Sequence, residues 1–316
     1  MSIIAIDLLS TSFTLAVFGK SGRIFEKQKF DITSLNGPQV SHFIQKQINA
    51  TVKKFKGQPL QIKSVGIGVP GIYYSKTGTV WAPNIPGWES YPLKKDLNYL
   101  LIDENIKTKI ASKRTCDILG EKWQGAAKNT RNAIFLSVGN GIGAGVLIDG
   151  RTLYGHNDIV GAAGWLTSST HYKDEFKGTG FLESLASWKG ILKKIIDYTK
   201  TKNYKGKLKN IPAQKLTIND LIIAYEENDP AAKKIINESI KLWGTAAANL
   251  ISLFNPEVLI FGGALFGPTL KFLDKIKAEA EKWAQPISMV GVKFCGSKLG
   301  EDAGLYGAGF LALKKF

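Results

Sequence analysis

Glycines recur at Gly139, Gly141, Gly143 and Gly145 within I-F-L-S-V-G-N-G-I-G-A-G-V-L-I-D-G, Ile134–Gly150. A turn built this way can bring backbone N–H groups up to an anion with no Cβ in between. A dinucleotide fingerprint would need a helix after the glycines. Here apolar residues resume at Val146–Ile148, and Asp149-Gly150 signals a tight turn, so the pattern predicts strand, glycine turn, strand, hairpin. A glycine-rich hairpin without a ligand fits the stretch equally well. Gly262-Gly263 joins a strand to a helix and has the same two readings, a nucleotide-facing turn or a close-packing turn. The loop W-A-P-N-I-P-G-W, Trp81–Trp88, offers aromatic rings and Asn84 to a sugar, or packs its tryptophans on the core.

The elements that must position these residues follow from periodicity. Residues 3–9 form an apolar run, Ser10-Thr11-Ser12 breaks it, and 13–18 and Arg23–Phe30 read as two further strands. This repeats the plan around Gly139, so two related domains facing one another are expected. Val40, Phe43, Ile44, Ile48, Val52 and Phe55 keep helical spacing across Pro38–Lys56. Ser64–Val69 predicts a buried strand, Tyr73–Val80 a hairpin, Leu93–Leu101 a helix and Lys107–Ala111 a strand. Ser112–Thr115 reads as a polar break before a helix over Asp117–Ala127. Further helices are expected from Gly180 to Leu192, over Thr217–Glu226 and Pro230–Phe254, from Pro268 to Trp283, and over Asp302–Lys315.

The chain has 316 residues, enough for one large or two medium domains. No apolar run reaches membrane-spanning length. The N-terminus lacks a basic region and carries Asp7 in its apolar run, so no secretory signal is expected. Two cysteines, Cys116 and Cys295, make neither a metal-ligand spacing nor a disulfide framework, which fits a cytoplasmic protein. The net charge is +16, but nearly all the excess is scattered lysine, densest over Lys200–Lys209. Base readers favour arginine forks, so a solvated lysine surface is expected rather than a nucleic-acid site.

Taken in order, these motifs resemble the ROK family of sugar kinases, in the hexokinase and actin-like ATPase class. The matching runs are G-I-G-V-P-G at Gly66–Gly71, T-G-T-V-W-A-P-N-I-P-G-W at Thr77–Trp88, L-G-E-K-W-Q-G-A at Leu119–Ala126 and S-V-G-N-G-I-G-A-G-V-L-I-D-G at Ser137–Gly150. N-P-E-V-L-I-F-G-G at Asn255–Gly263 and L-G-E-D-A-G-L-Y-G-A at Leu299–Ala308 complete them. The resemblance implies an α/β fold of two actin-like, ribonuclease H-like lobes around a central cleft. One lobe would hold 1–115 and the C-terminal helix 302–316, the other 116–301. It implies ATP with Mg2+ on Asp7, Thr11, Gly139, Asn140, Gly141, Gly143, Gly262 and Gly263. A sugar is implied at Gly71, Asn84, Glu183 and the positions now held by Lys113 and Trp165. A homodimer is also implied.

The family transfers a phosphoryl group to a sugar hydroxyl, with an Asp in an N-D-A-N segment as general base. Here that segment reads Ser112-Lys113-Arg114-Thr115, and Lys113 replaces the base. An ammonium cannot accept a proton. Asp117 reads as a capping or surface acid rather than a substitute. The family's G-E-I-G-H segment becomes Gly161-Ala162-Ala163-Gly164-Trp165, losing a sugar-binding Glu and His. No cysteine precedes Phe181-Leu182-Glu183, where the family's zinc loop lies, so no metal site is expected. The first phosphate turn is Asp7-Leu8-Leu9-Ser10-Thr11, with Leu9-Ser10 in place of a glycine pair.

The expected function is therefore a catalytically degenerate sugar-kinase homologue, a ligand-binding or regulatory pseudokinase. ATP and Mg2+ binding should be weak or lost. Lys113 and Arg114 in place of an acid suggest a more acidic ligand, such as a sugar phosphate, and Trp165 one with more aromatic contact. One alternative is an active kinase of a sugar, amino sugar or acidic sugar with a relocated base. Another is a regulatory protein with weak nucleic-acid affinity, although the first strand begins at Ile3 and leaves no room for a repressor's DNA-binding domain.

Overall fold

The computed structural model describes residues 2–57, 59–100, 106–201 and 203–314. In chain order the first elements are β1 (Ser2–Leu8), β2 (Ser12–Gly19), β3 (Ile24–Asp31), α1 (Gly37–Phe55), β4 (Ile62–Val69), β5 (Ile72–Tyr74) and β6 (Thr79–Trp81). Next come α2 (Leu93–Leu100), β7 (Lys107–Ser112), α3 (Lys113–Gln124), β8 (Ala133–Val138), β9 (Ile142–Ile148) and β10 (Arg151–Thr152). Helices α4 (Phe181–Ala186), α5 (Trp188–Thr199), α6 (Ile218–Glu226) and α7 (Pro230–Phe254) lead to β11 (Val258–Gly262). The chain closes with α8 (Leu273–Glu281), α9 (Pro286–Met289), β12 (Lys293–Gly296) and α10 (Ala303–Leu313). None of the described helices is long and apolar enough to cross a membrane.

The chain forms two compact units. One comprises Met1–Asn129, Thr152–Val160 and Asp302–Phe316; the other comprises Thr130–Arg151 and Gly161–Glu301. This division and the sequence-based boundary at 115/116 differ over 116–129 and Thr152–Val160; most of α3 lies in the first of these, and it packs on α10, β4 and β7 and so belongs with them. The plan read twice in the sequence is built twice. The first sheet runs β3-β2-β1-β4-β7 and the second β10-β9-β8-β11-β12. In each, a leading strand pairs antiparallel with its hairpin partner on one side and parallel with a later strand on the other.

In the first unit β1 is buried on both faces, and its alternation divides the core. Ile4, Ile6 and Leu8 meet the side carrying Val40, Ile44, Ile48 and Leu97, from α1 and α2. Ile3 and Ala5 meet Cys116, Leu119, Leu305 and Ala308, from α3 and α10. Helix α10 is apolar nearly all round and approaches its neighbours through glycine. A Cβ at Gly307 would lie 1.7 Å from the Cys116 carbonyl oxygen, and one at Gly120 2.1 Å from that of Ala303. Backbone cannot yield as a side chain does, so Gly307→Ala is expected to destabilise the protein by about 3 kcal/mol, read from the urea midpoint.

Two expectations are corrected here. Helix α3 starts at Lys113, not Asp117, so Ser112 stands at its N-cap position, its hydroxyl accepting from the Tyr73 amide rather than capping the helix, and Lys113 sits in the first turn. The predicted helix from Gly180 is two helices, α4 and α5, broken at Ser187, whose hydroxyl accepts from the Gly190 amide and caps α5. Of the predicted helix over Leu93–Leu101, Leu101 lies outside the described residues.

Candidate functional site

In the first unit, Asp7 is the penultimate residue of β1 and Lys113 opens α3. The Lys113 ammonium lies 2.8 Å from Asp117 Oδ1 and 3.3 Å from Asp7 Oδ2. Both carboxylates are buried. Asp117 is thus neither a cap nor a surface acid. It is the i,i+4 partner of Lys113 on one helix face, a spacing hidden from the sequence reading because the helix was started four residues late. Burial works against the Lys113 charge, but Asp117 and Asp7 outweigh it and hold the ammonium above a lysine's ordinary range. Burial pushes Asp7 the other way, up to about 6, against the pull of Lys113. Its Oδ1 is buried with no hydrogen-bond partner. A Cβ at Gly304 would come within 2.6 Å of Lys113 Nζ and 2.8 Å of that oxygen, so α10 closes directly over the cluster.

With one ammonium between two carboxylates, Lys113 is spent inside the protein and adds no free positive charge for an acidic ligand. Arg114 remains, donating to the Asp158 carbonyl at 3.3 Å, with burial lowering its pKa. In the β1–β2 turn the Leu9 side chain is 38% exposed, and the turn closes on itself through Leu9 N–H to Ser12 O at 2.8 Å. Thr11 is exposed, and its carbonyl accepts from the Ile32 amide. Gly71 has φ +71°, and a Cβ there would meet the Trp81 carbonyl oxygen at 2.0 Å. Packing alone therefore requires this glycine.

The tryptophan loop divides between its two readings. Trp88 is fully buried, stacks on Tyr91 at 4.7 Å and donates Nε1–H to the Gly37 carbonyl. Trp81 is 42% exposed, and Asn84 stands exposed at the tip.

In the second unit the glycine turn Gly139–Gly143 joins β8 to β9. Gly139 N–H donates to the Gly141 carbonyl, and the Gly139 carbonyl accepts from Trp188 N–H at the start of α5. Asn140 and Gly141 are exposed. Beside Gly139 lies Ala264, just past the second glycine pair. That pair is explained by contact: a Cβ at Gly262 would sit 2.2 Å from the Phe135 ring, and one at Gly263 2.6 Å from the Val138 carbonyl oxygen. Glu183, in the first turn of α4, accepts from the Ile142 N–H at 2.6 Å through Oε2. Burial raises its pKa against that hydrogen bond. Trp165 is 55% exposed in the short turn Ala163–Trp165.

Sequence reasoning missed a cavity of about 190 Å3 beside this turn, whose lining includes Asn140, Glu175, Glu183, Ser187, Lys189 and Lys193, with Lys193 paired to Glu175. Its lysines stand at i and i+4 on α5, a signal lost among the chain's other lysines.

The donor set between Gly161 and Leu182 does not suit zinc, since it offers His171 and no thiolate. No group of three or more His, Cys, Asp or Glu among the described residues is placed to hold a metal. The glycine turn of the second unit suits a phosphate, whereas the first turn, with Leu9, departs from that design.

A sequence profile of the ROK family matches residues 3–315. A glucokinase from Halalkalibacterium halodurans is 28% identical over 98% of this chain and 94% of its own. A xylose repressor from Caldicellulosiruptor bescii is 30% identical over 82% of this chain and 65% of its own. The crystal structure of a ROK hexokinase from Thermus thermophilus superposes with a TM-score of 0.83 at 22% identity, covering 99% and 98% of the two chains. Its agreement is one of fold, the two-lobed actin-like α/β architecture. With the profile spanning nearly the whole length, this chain is a member of the ROK family.

Proposed function

We propose that this ROK protein binds a small sugar or sugar-derived ligand and does not phosphorylate hexose by the family route. The observation that carries the reading is Lys113. It stands at the position of the family's base, with its ammonium fixed between Asp7 and Asp117. A proton held that firmly cannot leave to make an amine base. In the second unit the ligand would draw on Trp165 and Glu183, and a phosphate would rest on Gly139–Gly143. In the first unit the candidate contacts are Asn84, with Gly71 shaping its loop, and Asp7 and Thr11 on the altered first turn. A glucokinase and a xylose repressor both stand among the relatives, so the family includes proteins named for catalysis and for regulation.

An ADP-release assay with glucose, N-acetylglucosamine and xylose should give no turnover above the protein-free rate. A thermal-shift panel of the same sugars and their phosphates should give at least one stabilising ligand, since a ligand raises stability by mass action. Ordinary hexose-kinase turnover would overturn this reading.

One observation favours an active kinase instead. Asp7 combines an unpartnered carboxylate oxygen with a pKa of about 6, which suits a base near neutral pH. On that reading, turnover would be real, would rise with pH through a limb near 6, and would vanish in Asp7→Asn.

A further inference from the structure

We propose that Arg114 seats an oxyanion, so that the ligand of this protein carries a phosphate or carboxylate group rather than hydroxyls alone. This rests on the sugar-ligand reading above and adds to it the charge of the ligand.

Arg114 is a cation in a costly place. It stands in the first turn of α3, where the helix dipole presents its positive end and disfavours a further positive charge. It is also half-buried, and burial lowers its pKa. Lys113 beside it meets the same two costs, and Asp7 and Asp117 offset them with ion pairs at 3.3 and 2.8 Å. Among the described residues no carboxylate does so for Arg114. Its one hydrogen bond runs from Nη2 to the Asp158 carbonyl at 3.3 Å. The side chain that acts to hold its charge is Tyr74, a phenol and not a carboxylate. A half-buried charge left this way is far from its best state, and a partner of opposite sign improves it.

The acids nearby are already engaged. Asp158 gives Arg114 its carbonyl, while its Oδ2 accepts from the Ser75 amide at 2.9 Å and the Ser75 hydroxyl at 3.0 Å. Asp7 and Asp117 are held by Lys113. With both ionised, that cluster is net negative and opposes an incoming anion, so the seat must supply strong donors. A guanidinium carries several N–H groups in a planar fork, and only one is engaged here. Ser112 adds no side-chain cap to α3, because its hydroxyl accepts from Tyr73 N–H at 3.0 Å. The first-turn amides therefore add to the pull of the guanidinium. A phosphate monoester or a carboxylate presents two charged oxygens to such a fork. A neutral hexose would leave the guanidinium as unpaired as before.

The test is thermal unfolding of the full chain, Arg114→Met and Arg114→Lys, each with inorganic phosphate, glucuronate, glucose 6-phosphate, glucose or chloride at matched ionic strength. At least one oxyanion probe should raise the wild-type melting temperature by about 2 °C or more over chloride, and by more than glucose does. Arg114→Met removes the charge and keeps an apolar stem. It should melt no lower than wild type in chloride and lose the shift. Arg114→Lys keeps the charge without the fork and should lose most of it. An Arg114 that only ties down the segment around Asp158 would instead lower the melting temperature of the Met variant and leave the shift intact. That result, equal shifts in all three proteins, or no shift with any oxyanion would overturn the inference. A shift with glucose alone would also overturn it, while leaving the sugar-binding reading intact. A shift with inorganic phosphate that is lost in Arg114→Met, with no response to any sugar, would support Arg114 as the oxyanion seat and sink the sugar-binding reading.

Discussion

Replacing Lys113 with methionine is expected to cost about 3 kcal/mol of stability at pH 8 and much less at pH 5.5. Methionine keeps the stem's volume and removes only the ammonium. Asp7 and Asp117 then face one another, buried, without a counter-ion. Removing one partner of a buried ion pair costs roughly 3–5 kcal/mol, and the lower end applies because the Lys113 side chain is 29% exposed. The pH dependence follows from Asp7. Its folded pKa, about 6, already lies above an aspartate's ordinary value of 3.8. A carboxyl raised on folding contributes stability that is fully present below the unfolded pKa and is lost as pH rises through the folded one. The contribution of Asp7 to wild-type stability should therefore rise as pH falls from 7 towards 4. Without the ammonium the Asp7 pKa moves higher still, and the same gain begins at higher pH. Urea midpoints for both proteins at pH 5.5 and 8 decide it. A loss equal at the two pH values would show that the lysine stem, not its charge, was holding the site.

How far the chain could be read from its sequence depends on the range of each interaction. The doubled sheet was legible because strand alternation and glycine turns are local signals, and the same local pattern occurred twice. The core face of α1 was legible from its apolar spacing. The state of Lys113 was not. Its residue type showed that a proton acceptor was gone, but its effect depends on Asp7, 106 positions away, and on a helix start that no residue marks sharply. Gly71 and Gly262 were singled out as ligand-facing glycines, yet each is needed against a backbone or ring brought close by the fold. A glycine that approaches a carbonyl and one that approaches a phosphate look alike in sequence. Only the neighbour distinguishes them.

The loop before α4 leads to the second large expected effect. Where the family resemblance places a zinc loop, this chain has Phe176, which is buried, packed edge-on against Phe181 at 5.2 Å and Tyr172 at 6.4 Å. Around it Gly180 N–H donates to the Phe176 carbonyl, Thr179 Oγ1 pairs with Ser184 Oγ at 2.6 Å, and Lys193 holds Glu175 at 2.5 Å. The ion pair is exposed and contributes little. The ring is the anchor. Phe176→Ala should cost about 3 kcal/mol, at the low end for a buried phenylalanine because the loop can partly collapse into the space. The loss should be local first: trypsin should cut at Lys173 and Lys177 many times faster than in wild type while α7 keeps its amide protection. Chelators should leave both proteins' melting temperatures unchanged. Because α4 begins where this loop ends, Glu183 should also lose its fixed place, and the Ile142 amide that donates to it should exchange faster. A Phe176→Ala protein with wild-type cleavage rates would mean that the loop is held by its polar contacts alone.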